Sequence, residues 1–233
     1  MEELLWTRVR DGGRGRVLSH DAVAQAAVRL ADASGLDAVT MRAVAASLGV
    51  GTMSLYRYVA TREELVDLMV DQVLGEITLD GAVPGWRGLL TQQARQTRAL
   101  ALRHPWMAMT GPASRPAMGP NMVAWLEGSL ARLDQPGLSI DQVLDMDQTV
   151  RSFVVGFVQS ELSERMAQRS TGFSEDEWRA RMAPYLGALI ATGDHPYLER
   201  IVRDAEDYPD PDVVFERRLG YVLDGLGAGL GLT

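Results

Sequence analysis

The residues most capable of chemistry lie in the stretch "GVGTMSLYRYVATREEL", positions 49–65. Directly after a glycine-bracketed corner come Thr52, Met53 and Ser54, then Tyr56, Arg57 and Tyr58. Small hydroxyls pair with base or phosphate atoms, a methionine packs on a thymine methyl, and phenol and guanidinium donors suit phosphate oxygens. That chemistry is nucleic-acid binding rather than catalysis. The catalytic alternatives are poorly served: histidines 20, 104 and 195 make no HExxH or other metal-ligand spacing, and the chain has no cysteine. Disulfides, thiol nucleophiles and thiolate metal sites are therefore excluded. "GVGTMS" and "GLGAGLG" both lack the spacing of a dinucleotide fingerprint. No metal, no cofactor and no enzyme activity are expected. A Ser-His-Asp arrangement assembled in space, on an all-α enzyme, is the alternative left open.

The charge distribution points the same way. The chain carries 23 Arg, no Lys and 31 acidic residues, for a net charge of −8. Residues 1–58 hold seven Arg against six acids, whereas the remaining 175 hold 16 Arg against 25 acids. A locally basic module on an acidic body suits contact with an anionic polymer at one end. The N-terminus lacks the apolar core of a secretory signal, and no run of 18 apolar residues occurs, so neither export nor a membrane span is expected.

Helical periodicity dominates, and no strand ladder or internal repeat is evident, so the expected fold class is all-α. A basic arm, residues 1–15 with Arg8, Arg10 and Arg14, is expected to be flexible, with Arg16 just beyond it. Ser19 caps a helix ending at Gly35, Thr40 caps a second closed by Gly49, and a short third covers about 52–58. "TREE" supplies a capping box at Thr61 for a long helix to about residue 79. "DGAVPG", 80–85, breaks the chain between a DNA-binding domain, 16–76, and a larger C-terminal domain, 85–233. Further helices are expected at 86–103, 116–133, from Ser139 to about 168, from Ser174, and from Asp210-Pro211 onward. The second and third helices, with the "GVG" corner, form a helix–turn–helix whose buried contacts come from Leu48, Val50 and Leu55.

The stretch "AAVRLADASGLDAVTMRAVAASLGVGTMSLYRYVATREELVDLMV" resembles the DNA-binding domain of the TetR family of bacterial repressors. The resemblance rests on the "G-x-x-x-x-T-x-R" lead into helix 2, the "A-x-x-L-G-V" corner and the "L-Y-x-[HYF]" core of the third helix. "FVVGFVQSELSER" and "HPW…GPASRPAMG" are similar to the regulatory core of the tetracycline-repressor branch. Helix–turn–helix geometry places Thr52, Met53 and Ser54 at the base edges, and the resemblance implies DNA contacts from Thr40, Arg42, Thr52, Met53, Tyr56 and Arg62, with Arg57 and Tyr58 at positions where the family varies more. Leu55 is expected in the core. The implied function is a ligand-responsive repressor in the bacterial cytoplasm, at the nucleoid, binding a two-fold operator in double-stranded DNA. An activator of the same fold, without a small-molecule effector, is the second alternative.

A two-fold operator calls for a homodimer. Phe215, Leu219, Val222 and Leu226 are spaced 4, 3 and 4, like a coiled-coil seam, and Val150, Val154 and Phe157 line the long helix similarly. These are the expected dimer interface; the competing reading makes them intramolecular core. The middle of the C-terminal domain is rich in Met and Trp, with glutamines and a histidine interspersed, as in an adaptable apolar pocket. The expected lining is Gln96, His104, Trp106, Met109, Met118, Met122, Trp125, Gln148 and Phe153. The family's metal-ligating histidine falls near Gly111 and a polar pocket position near Thr97. An apolar or aromatic effector is thus favoured over a tetracycline–magnesium chelate.

Overall fold

The computed structural model describes residues 5–8, 18–78, 83–109, 118–205 and 210–232; among them there are helices and turns but no strand. Eleven α-helices are described: α1 (Leu5–Arg8), α2 (His20–Ser34), α3 (Met41–Ser47), α4 (Thr52–Leu55), α5 (Arg62–Leu74), α6 (Gly85–Arg103), α7 (Pro120–Leu133), α8 (Ile140–Thr171), α9 (Glu175–Ala191), α10 (Pro196–Asp204) and α11 (Pro211–Leu230). A 3-10 turn, Pro105–Met109, follows α6. None of the described helices is long and apolar enough to cross a membrane.

Local sequence explains most helix starts. Oγ of Ser19, Oγ1 of Thr40 and Oγ1 of Thr61 each accept a first-turn N–H, at 3.1 Å from Ala22, Ala43 and Glu64. Complete capping boxes form at Ser139 with Gln142 and at Ser174 with Glu177. The Thr61 box is incomplete, because the Glu64 carboxylate accepts from the Ala60 N–H at 2.6 Å instead. The long α5 stops at Leu74 rather than near 79. The last helix runs unbroken through Gly225, Gly227 and Gly229 to Leu230. Gly227 lets the helix pass close to the Trp86 ring, which a Cβ there would meet at a tight 3.3 Å. The strongly amphipathic α10 has no counterpart in the sequence expectation.

Apolar side chains gather into two clusters. The first is built from α2, α3, α4 and α5 around Val23, Ala27, Val44, Leu55, Leu65 and Met69. The second is built from α6, α7, α8 and α11 around Leu90, Leu133, Met146, Val154 and Phe215. The division is not clean: Leu100 of α6 and Trp106 of the 3-10 turn are buried in the first cluster. Residues 5–8 are not a free arm either, because Leu5 is buried there and Trp6 packs against it. The side chain of Arg8, together with Arg10, Arg14 and Arg16, lies outside the described residues, as does the first half of the "DGAVPG" break.

The expected dimer seam is largely internal. Val150, Val154, Phe215 and Leu219 are each at most 3 % exposed within one chain, and Phe157, Val222 and Leu226 pack against them half-buried. The cause is that α8 and α11 face each other: Phe153, Phe157 and Phe215 form an aromatic cluster with ring centroids 5.2–5.9 Å apart. The outer face of α11 exposes Val213 and Tyr221 instead.

Candidate nucleic-acid interface and effector cavity

The head is built so that one short surface is held rigidly from behind. Gly49, at φ +68°, turns the chain after α3, and the Val50 N–H returns to the Ala45 carbonyl at 3.0 Å. Leu55 and Val59 are fully buried and pin α4 to the core. Regular helix ends at Leu55, and hydrogen-bonded turns carry the chain to Val59. The expected span of 52–58 is thus helix followed by turn.

This anchoring leaves Met53 79 % and Tyr56 44 % exposed, with Arg57 and Arg42 also on the surface and Thr52 and Ser54 half-buried beside them. No carboxylate pairs with Arg42 or Arg57 among the described residues, so both keep their charge and donors available. Thr40 uses its oxygen as a helix cap. Arg62 donates to the Leu36 carbonyl at 3.1 Å, which ties the start of α5 to the turn after α2. Tyr58 departs from expectation: its hydroxyl donates to the Leu18 carbonyl at 3.0 Å and its ring meets His20 edge-on at 5.2 Å. Its hydroxyl proton is thus engaged inside the head rather than left open to phosphate.

Two polar clusters join head to body, and neither was evident from motifs. The first centres on His104, which is buried just after α6. Its Nδ1 lies 2.8 Å from Asp32 Oδ1 of α2, and its Nε2 lies 3.4 Å from Glu76. Trp106 Nε1 donates to the same Asp32 oxygen at 2.8 Å, and Arg103 pairs with Glu76 at 2.5 Å. The second cluster centres on Asp71 of α5, 4 % exposed. Its carboxylate accepts from the Met122 N–H at 2.9 Å and the Asn121 N–H at 3.3 Å, capping α7 from another helix. Asn121 completes the exchange by donating to the Asp71 carbonyl at 3.0 Å. Gly119 is required here, because a Cβ would collide with the Asp71 carboxylate and come within 2.8 Å of Trp6.

Between α6, the 3-10 turn and α8 lies a mostly apolar cavity of about 560 Å³. Its walls are Leu74, Thr97, Leu100, Ala101, Met107 and Ala108 on one side. Arg151, Ser152, Val154, Val155, Gly156, Val158 and Gln159 form the other. Of the nine residues expected to line a pocket, none of the eight whose side chains are described is among them. The reason is the register of α6, which turns Thr97, Leu100 and Ala101 toward the space, while Gln96 points aside and donates to the Thr78 carbonyl at 2.7 Å. His104 and Trp106 serve the junction; Met118 and Gln148 are exposed. Met122 is buried at the α7 cap, Trp125 stacks under Arg151, and Phe153 belongs to the aromatic cluster. The side chain of Met109, and Gly111, lie outside the described residues. Thr97, singled out by the resemblance as a polar pocket position, does line the cavity.

Two family models cover nearly all of this architecture. Residues 24–69 match the model of bacterial regulatory proteins of the tetR family, and residues 54–230 match the tetracyclin repressor-like C-terminal domain. The chain belongs to the TetR family. It is 41% identical over 229 residues to the HTH-type transcriptional repressor DrrR1 of Streptomyces coeruleorubidus, covering 96% of this chain and 83% of that one. It is 27% identical over 212 residues to the class A tetracycline repressor protein from transposon 1721 of Escherichia coli, covering 90% of each. Among solved structures, apo ActR from Streptomyces coelicolor superposes with a TM-score of 0.77 at 29% identity, covering 93% of this chain and 98% of that one. The head is therefore the helix–turn–helix of a transcriptional regulator, with α3 and α4 as its two helices.

Proposed function

We propose that this TetR-family protein is a homodimeric cytoplasmic repressor whose heads leave their operator when a small, largely apolar or aromatic effector fills the cavity between α6 and α8. The observation that carries this reading is the double duty of the 3-10 turn. Met107 and Ala108 form part of the cavity wall, while Trp106 and the preceding His104 hold Asp32 of the head. A molecule that displaces the wall therefore displaces the contact with α2. Thermodynamic coupling requires only that the effector favour the displaced arrangement over the DNA-bound one. The volume is in the range of small-molecule sites, and ActR, a structural relative, has been solved with actinorhodin and with (S)-DNPA.

Dimerisation is supported by what one chain leaves uncovered. The open side of α11 presents Tyr221 beside Gly220, Gly225 and Gly229, whose surroundings leave room for close approach of another helix. Trp178, Tyr185, Tyr197 and Ile201 of α9 and α10 are also exposed.

The test is a coupling measurement. Operator binding would be followed by fluorescence anisotropy, with effectors found by screening compounds for release of the complex. Asp32→Ala should bind the operator and the effector yet respond to the effector at least about tenfold less, a coupling loss on the order of 1.4 kcal/mol. Unaltered release by that variant would remove the junction from the mechanism. A monomer in analytical ultracentrifugation, with and without DNA, would refute the dimer.

A further inference from the structure

Several arginines of the body, some of them flanking the core, are neutralised by a carboxylate in hydrogen-bonding contact. Arg87 meets Asp224 at 2.5 Å, and Arg95 grips Glu216 through two bonds of 2.7 and 2.8 Å. Arg98 holds Glu161 and Asp212 at 3.1 and 2.6 Å. Arg165, in the cleft that adjoins the cavity, reaches Glu161 at 3.3 Å. Arg151 differs from these in facing the cavity without such a partner. It is the one charged side chain that lines the cavity among the described residues, and its guanidinium makes no hydrogen bond there. Its nearest carboxylate oxygen, Asp147 Oδ2, stands off at 3.7 Å, and the guanidinium lies 6.0 Å over the Trp125 ring.

Asp147 does not compensate the charge well. It is 3 % exposed, its Oδ1 accepts from Ser129 at 3.2 Å, and Ser129 in turn accepts from Gln93 at 2.6 Å. Burial pushes its carboxyl above the ordinary value, against the opposing pull of Arg151. Arginine keeps its charge at any physiological pH and offers five donors in a planar fork matched to paired oxygens. A permanent cation with idle donors, set in an apolar wall, is complementary to one kind of ligand.

We propose that Arg151 reads an anionic oxygen on the effector, a carboxylate or an ionised phenol carried on an apolar body that fills the rest of the cavity. This rests on the cavity being the effector site, and Arg151 is then its specificity-determining residue. Leu100, Met107 and Val158 would hold the apolar body, and the anion would lie toward the Asp147 end of α8.

The experiment uses the full-length protein and three fluorescent probes with one ring system: anthracene-2-carboxylate, anthracene-2-carboxamide and 2-anthrol, the last measured below and above its own pKa. Titration by fluorescence should show the native protein binding the carboxylate roughly 10–100-fold more tightly than the carboxamide. For the phenol source, affinity should rise when the anthrol ionises; a rise with the anthrol alone assigns the anion to a phenolate, a preference with the carboxylate alone to a carboxylate. Arg151→Gln should abolish the preference through loss of carboxylate affinity, with its fold certified independently by circular dichroism and thermal melting. Arg151→Lys should restore part of it. Equal binding of charged and neutral probes by the native protein, or an undiminished preference in Arg151→Gln, overturns the role of Arg151 and leaves the cavity assignment standing. Failure of every probe to bind the native protein overturns both.

Discussion

The exposed face of the head and the core-flanking side of the body use arginine differently. In the head, Arg42 and Arg57 stand on the surface without a carboxylate partner among the described residues. In the body, Arg87, Arg95, Arg98 and Arg103 are each locked to one. Charge counts alone, seven Arg against six acids in the first 58 residues, make this contrast look slight. Pairing makes it large, because an arginine already bridged to a carboxylate offers little to a phosphate. Arg42 and Arg57, unpaired among the described residues and on the face that carries Met53 and Tyr56, keep their donors available to phosphate.

The body side of that contrast breaks most visibly at Arg98. Its side chain is 11 % and that of Glu161 10 % exposed, and the guanidinium also lies 4.8 Å over the Phe215 ring. Arg98→Ala leaves the largely buried Glu161 carboxylate with only the more exposed Arg165 at 3.3 Å and should cost about 3 kcal/mol in denaturant unfolding. A loss no greater than that of an exposed pair would show the pairing to be incidental. Gly119→Ala should follow at about 1–3 kcal/mol, since the added methyl must displace the Asp71 carboxylate from its cap on α7. It should also alter effector response, whereas a mere packing defect would lower melting temperature alone.

The head side sharpens through Arg42→Ala and Tyr56→Ala. Each should weaken operator binding by about 1–3 kcal/mol with melting unchanged within about 0.5 kcal/mol. A fall of about 1 in the salt slope would assign the contact to phosphate, and an unchanged slope with relaxed sequence preference would assign it to a base. Tyr58→Phe should reverse that pattern, lowering stability through the lost Leu18 contact with operator affinity retained.

The smallest effect concerns Asp147. Its folded-state carboxyl is held above the ordinary value, so ionisation is costlier in the folded than in the unfolded chain. That cost is absent in acid and grows as pH rises from the ordinary carboxylate value through the raised one. Asp147→Asn should therefore melt slightly above the native protein near neutrality, by under about 1 kcal/mol because the Arg151 attraction is lost too. The gap should close in acid. A gap that widens in acid would contradict the direction of the shift.

The head was legible because its geometry is local. Thr40, Gly49, Leu55 and Thr61 act on neighbours a few residues away, so spacing alone carries the information. The body was legible only in outline. Its capping boxes announce α8 and α9, yet which face of α6 meets the cavity depends on how three other helices pack. Gln96 and Thr97 are adjacent in sequence and face different surroundings. The Phe215 and Leu219 stripe was visible as a pattern, but spacing cannot say whether its partner helix is α8 of the same chain or a second copy. The Asp32 and Asp71 contacts span 72 and 50 residues, and no local signal encodes such pairs.

The Asp71 clamp on α7 bears on how sharply the protein can switch. Two N–H groups and one carboxylate fit in a single register, and the Gly119 contact leaves no slack around it. Sliding α7 along α5 by part of a turn would strip both donors with nothing to replace them, so intermediate positions are uphill from either end. The joint behaves as a ratchet tooth more than as a spring: it conveys a whole step or none, and a partly occupied population of molecules is a mixture of engaged and released heads, not a set of half-turned ones.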